Sequence, residues 1–120
     1  MKEYSKKEAS TLQEKQVANL VNGNVTVASG GTSHGGGDVL TERWFFECKT
    51  VTTDKDSYSV KKAVLEKLKE QTFEQMKDYG VLAFRFSPEG KDYFVVDSDT
   101  FKYMMQCTKY CDKNGVDVNE

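Results

Sequence analysis

The sequence predicts an α/β domain with a central mixed β-sheet flanked by helices. Three observations carry that expectation. Hydrophobic periodicity switches between helical and strand-like along the chain in the order α-β-β-β-α-β-β-α. Two turn signals, Thr41-Glu42-Arg43 and Ser87-Pro88-Glu89-Gly90-Lys91, join neighbouring strand runs into antiparallel pairs, so a wholly parallel doubly wound sheet is not expected. The 120 residues, 38% hydrophobic and 30% charged, allow one modest core and argue against a disordered chain.

Residues 1–8 are charged and are expected to fray. From Ala9 the pattern is helical, with Leu12, Gln16, Val17, Leu20 and Val21 at three- and four-residue spacings, and Asn22-Gly23 stops it. A short strand over 24–28 leads into Ser29 to Gly37, where five of nine residues are glycine and a wide loop is expected. Val39-Leu40 and Trp44 to Val51 read as two strands, and 52–58 as a loop. Ser57 or Ser59 is the expected cap of a helix over 59–77, with Val60, Val64, Leu65, Leu68, Thr72, Phe73 and Met76 along one side. Gly80 ends the turn that follows. Strands are expected over 81–86 and 92–96, and Asp97 or Ser98 opens a last helix over 100–110. Residues 1–112 form one domain in this reading, and 113–120 a polar C-terminal tail.

Composition narrows the classes further. Seventeen basic against nineteen acidic residues leave a net charge of −2, so bulk charge lends no support to a nucleic-acid partner, although the field around a site matters more than the total. No apolar run approaches the roughly 18 residues of a membrane span. The opening MKEYSKKEASTLQEKQ lacks the apolar stretch of a signal peptide, so no membrane association and a cytoplasmic location are expected. The three cysteines read as thiols. Cys107 and Cys111 with a distant His34 do not make up the donor set of a zinc site. His34, the one histidine, has no evident orienting acid, which argues against a Ser/His/Asp triad. The aromatic residues read as packing rather than as base-stacking groups.

Chemistry concentrates at Glu47-Cys48-Lys49, inside a strand that otherwise reads as core. Alternation puts Phe45, Glu47 and Lys49 on one face and Phe46 and Cys48 on the other. Charges on a hydrophobic strand are costly unless paired or bound to something. By itself the pair also fits a solvated edge strand or a structural Glu–Lys contact. A hairpin over Thr41–Arg43 brings Asp38 back beside Glu47, and two converging carboxylates suit a hard divalent cation such as magnesium. Lys49 then lies near enough to meet a water or a phosphate. Glu14 flanks the buried stripe of the first helix and can reach the same place, although a surface pair with a neighbouring lysine is the blander reading. The glycine-rich loop can cradle an anion through its amides, but it matches neither a Walker loop nor a dinucleotide fingerprint.

In order and spacing, Gln13-Glu14-Lys15, Ala28-Ser29-Gly30-Gly31, Gly37-Asp38 and Glu47-Cys48-Lys49-Thr50 resemble the archaeal-type Holliday junction resolvases. The likeness is to their small phage-encoded members in the PD-(D/E)xK nuclease superfamily. Ser57 to Lys62, Ala83-Phe84-Arg85-Phe86 and Tyr93 to Asp97 extend the resemblance over roughly residues 5–110. Here Gly37, rather than the frequent proline, precedes Asp38.

The resemblance implies a restriction-endonuclease-like core and a magnesium-dependent endodeoxyribonuclease that resolves four-way or branched DNA, leaving a 5′-phosphate and a 3′-hydroxyl. Manganese is expected to substitute for magnesium. Asp38, Glu47 and the main-chain carbonyl of Cys48 would hold the metal. Lys49 would orient the water, and Glu14 would complete the acidic site directly or through water. Ser29, Gly30 and Gly31 would approach DNA. By position, Lys15, Arg43, Lys61 and Lys62 are candidates for backbone phosphates, with Lys6 and Lys7 in an N-terminal arm. Symmetric cutting of two strands implies a homodimer, with apolar surface from Phe101, Tyr103, Met104 and Met105 unless those residues pack on their own sheet. A general nicking or repair nuclease of the same fold and a non-catalytic DNA-binding protein are the alternatives. If phage-encoded, the protein belongs in the host cytoplasm.

Overall fold

The computed structural model describes residues 3–26 and 38–116, and within them the elements follow the expected order. These are α1 (Lys6–Val21), β1 (Asn24–Val25), β2 (Asp38–Leu40), β3 (Trp44–Lys49), α2 (Lys62–Glu74), β4 (Tyr79–Phe84), β5 (Tyr93–Val95) and α3 (Ser98–Lys113). The strands form one sheet in the order β1-β2-β3-β4-β5. Only β3 and β4 run parallel; the other three pairs are antiparallel, so the sheet is mixed. Helix α2 is the crossover that a parallel pair requires.

The ends of the elements depart from expectation for identifiable reasons. Helix α1 begins at Lys6 rather than Ala9, because Ser5 and Glu8 close a capping box: Glu8 N–H donates to Ser5 Oγ and Ser5 N–H to Glu8 Oε1, both at 3.0 Å. The charged stretch at 5–8 is therefore a first turn rather than a frayed end. Asn22 stops the helix in the left-handed conformation, φ 55°. The buried face is Ala9, Ser10, Gln13, Val17 and Ala18, whereas Leu20 and Gln16 are exposed. Helix α2 is shorter than expected at both ends. Lys61 is its N-cap without a side-chain cap bond, so neither Ser57 nor Ser59 caps it. Beyond Glu74, Met76 adopts φ 58° as the chain turns toward β4. Only Leu68 and Thr72 of the expected α2 stripe are buried, and Phe73 and Met76 are largely exposed.

Gly80 lies inside β4 rather than in the turn before it. A Cβ there would collide with Thr72 Oγ1, so glycine lets α2 lie directly on the strand. Thr72 in turn gives its hydroxyl hydrogen to Leu68 O at 2.7 Å.

Two core layers sandwich the sheet. Val17 and Ala18 of α1 pack on Val39, Phe46, Cys48, Val81 and Ala83. On the other face Leu68 of α2 packs on Phe45 and Leu82, with Leu40, Tyr58, Val64 and Val95 around them. Helix α3 is capped by Asp97, which accepts from Thr100 N–H at 2.8 Å. It extends to Lys113, past the expected end. Thr100 is its one buried residue, and Tyr103 stacks on Tyr79 at 4.5 Å. Phe101, Met104 and Met105 remain exposed. Among the described residues no helix is long and apolar enough to cross a membrane.

Candidate metal and phosphate site

The β2–β3 register sets Asp38 directly opposite Glu47, as the Thr41–Arg43 hairpin predicts. Strand alternation sends Glu47 and Lys49 to the α2 face, while the Cys48 side chain joins the core under α1. Glu47 is only 8% exposed, and Lys49 Nζ lies 3.3 Å from its Oε1. Its Oε2 is buried and, with both acids ionised, receives no hydrogen bond. The Asp38 carboxyl is pushed up to about 8, first by burial and then by its contact with Glu47, with a further push from Glu14; Lys49 opposes the rise. With both acids ionised the site presents more negative charge than Lys49 answers. A proton shared between the acids, or a cation, would supply the missing positive partner.

Glu14, on α1, lies close enough for its charge to act on Asp38 and Cys48. It does not complete a tight acidic triad: among the described residues no group of three or more His, Cys, Asp or Glu side chains is placed to hold a metal ion. Two carboxylates are what the protein offers. That suits magnesium, which keeps several waters and is commonly bound through one or two carboxylates plus substrate phosphates. Cys48 can contribute only its main chain, because its thiol is in the core and burial raises its pKa well above the ordinary range.

Beside the acids lies a polar network that the sequence did not reveal. Gln13, fully buried on α1, donates through Nε2 to Lys49 O at 3.1 Å, Ala83 O at 3.3 Å and Asp92 Oδ1 at 3.0 Å. Its Oε1 is buried without a partner. Asp92 also takes a two-pronged ion pair from Arg85, itself 1% exposed, whose Nη1 donates to Pro88 O at 3.0 Å. Gln13 therefore ties α1, and Glu14 with it, to the end of β3 that carries Lys49. An arginine within the apolar run Val81 to Phe86 was the one available signal. Tyr58 was also missed; burial and then the charge of Glu47 raise its pKa, which puts it near the acids.

The expected phosphate contacts separate into groups. Ser29, Gly30 and Gly31 lie outside the described residues. Lys15 is exposed on α1 beside Glu14. Lys61 and Lys62 are exposed at the start of α2. Thr72 sits over Gly80 near the beginning of β4, so the opposite end of α2 points toward the Lys49 end of the sheet. Arg43 does not join them. It precedes β3, at the far end from Lys49, where it pairs with Asp78 at 2.8 Å and lies over the rings of Tyr79 and Tyr103. It anchors α3 instead. No protein-family model, curated protein or solved structure matches the chain.

Proposed function

We propose that the chain is a magnesium-dependent endodeoxyribonuclease with a restriction-endonuclease-like core, hydrolysing phosphodiesters at four-way or branched DNA junctions. The observation that carries the reading is Asp38 paired in register with Glu47, with Lys49 on the same face and Glu47 Oε2 buried without a donor. An all-oxygen donor set with an unanswered buried charge fits a hard divalent cation, magnesium or manganese.

Asp38 and Glu47 would hold the cation, with main-chain oxygen from Cys48. When bound, it supplies Lewis-acid neutralisation of phosphate charge and a more acidic water. Lys49, half-exposed and fixed by Glu47, faces the phosphate, offsets the charge developing on its oxygens and orients the attacking water. Lys61, Lys62 and Lys15 hold the flanking backbone as point charges. Gln13 acts as a positioning residue through Lys49 O. Two copies, each with one acidic centre, act on opposite strands of one junction.

The test is cleavage of a synthetic four-way junction beside linear duplex of equal length. The junction is expected to be cut in magnesium or manganese, while calcium supports binding with little turnover. Asp38→Asn, Glu47→Gln and Lys49→Ala should each lose about a hundredfold or more in rate while still binding the junction, and Glu14→Gln should lose less. Full activity in excess EDTA overturns the metal assignment. Equal cutting of both DNAs favours the general nicking nuclease, and binding without cleavage under all these conditions favours a non-catalytic DNA-binding protein.

A further inference from the structure

Sheet register continues outward from the acids. On the α2 face, one row runs Asp38, Glu47, Leu82, Val95. The next row, toward the end of β3, runs Lys49, Phe84, Tyr93. Paired residues share a face, so Phe84 is the immediate neighbour of Lys49 and Tyr93 lies one strand further. Phe86 lies just past the end of β4 and meets the rings of this row.

The four rings here touch in sequence. Tyr58 stacks on Phe84 at 4.5 Å and 14°, and Phe84 on Tyr93 at 5.7 Å and 25°. Phe86 meets both Phe84 and Tyr93 edge-on, at 5.5 and 5.4 Å. None of the four is buried, and Tyr93 is 46% exposed. Lys55 N–H donates to Phe86 O at 2.8 Å, which fixes the loop after β3 along this margin. A packed aromatic cluster therefore stands partly open beside Lys49, and Tyr93 is its most exposed ring.

We infer that Tyr93, braced by Phe84 and Phe86, stacks an unpaired nucleobase of the strand whose phosphate lies at Lys49. This rests on the nuclease reading above and adds its substrate class. Two interstrand steps of about 4.8 Å separate the Lys49 and Tyr93 backbones. That is close enough for an unstacked base next to a phosphate held at Lys49 to meet the ring. In intact duplex both faces of each base are covered by neighbours, so the ring can take only a base that has left the stack. A branch point interrupts the stack, so its flanking bases leave it more readily than those within linear duplex. Lys49, in the same row and held by Glu47 at 3.3 Å, is the group that the nuclease reading sets against the phosphate of that strand.

Binding is measured on Asp38→Asn protein in calcium, which separates recognition from cleavage. The probes are a four-way junction and a linear duplex, each with 2-aminopurine beside the branch point or its linear equivalent. The junction probe is expected to be quenched on binding. Tyr93→Ala and the bulk-retaining Tyr93→Leu should abolish the quench and lower the junction-to-duplex affinity ratio about tenfold, while Tyr93→Phe restores both. Unchanged quench and ratio in Tyr93→Ala and Tyr93→Leu overturn the inference while leaving the nuclease reading intact. Failure of the Tyr93-intact protein to bind either DNA sinks the nuclease reading, and this inference with it.

Discussion

At the residue scale the site is a problem of unbalanced charge. Glu47 sits on a core strand at 8% exposure with one oxygen paired to Lys49 and the other unanswered. Asp38 faces it across the hairpin and is driven up to about 8 by burial and by that contact. A carboxyl raised in the folded state is more proton-hungry than in the unfolded chain, so its contribution favours folding at low pH. That contribution is complete below the ordinary aspartate value of 3.8 and is lost as pH rises through about 8. The metal-free protein is therefore expected to melt several degrees lower at pH 9 than at pH 6. Asp38→Asn should lack this loss and be the more stable protein at pH 9. Magnesium, binding the folded state, should restore the wild type but not the variant. Thermal melts over this pH range in EDTA and in magnesium read the effect. Parallel curves for the two proteins would mean that Asp38 carries no raised pKa.

At the element scale, local features of the sequence foretold the order of helices and strands and the β2–β3 hairpin. Three turn residues between apolar runs fix a register, and that register brings together residues nine apart, Asp38 and Glu47. The misses come from interactions that local patterns do not encode. The first turn of α1 is hidden because Lys-Lys-Glu looks solvated until Ser5 and Glu8 are seen to cap each other. The α2 stripe is misread because Gly80 draws in Thr72 and leaves Phe73 outside. The network of Gln13, Arg85 and Asp92 joins residues from separate elements, and Gln13 and Asp92 are 79 positions apart. That network closes the Ser87–Lys91 turn, because Arg85 bonds both Pro88 O and Asp92. Arg85 and Asp92 are 1% and 9% exposed as side chains, so removing one partner strands a buried charge. Asp92→Ala is expected to cost about 3–5 kcal/mol. Replacing both residues with apolar side chains of similar size should cost much less. Urea unfolding of the two singles and the double measures this, and a loss below about 1 kcal/mol for Asp92→Ala would show that the pair contributes little.

At the scale of the whole molecule, α3 carries a stripe of apolar surface that the monomer leaves unused. Phe101, Met104 and Met105 recur at helical spacing and are 52%, 39% and 43% exposed, so the alternative that they pack on their own sheet does not hold. Its start is held through Thr100 and through Tyr103, which lies against Tyr79 and Arg43. The stripe is thus presented from a fixed base. In the proposed dimer, two copies of α3 crossing antiparallel would set the acidic start of one, Asp97 and Asp99, near the basic end of the other, Lys109 and Lys113, and the helix dipoles would oppose favourably. Wild-type protein is expected to scatter light as a dimer at micromolar concentration. Met104→Asp combined with Met105→Asp should give the one-chain mass of 13.6 kDa with an unchanged far-ultraviolet spectrum, since both side chains are exposed in the monomer. The consequence for catalysis is specific. The monomeric variant should still nick a junction but lose the coupling between the two nicks, so that singly cut product accumulates. Coupled nicks from the charged variant at unchanged dimer mass would move the interface away from α3. A strictly monomeric wild type, nicking junctions one strand at a time, would instead favour the general nicking nuclease, because one acidic centre cannot cut two opposed strands in a single binding event.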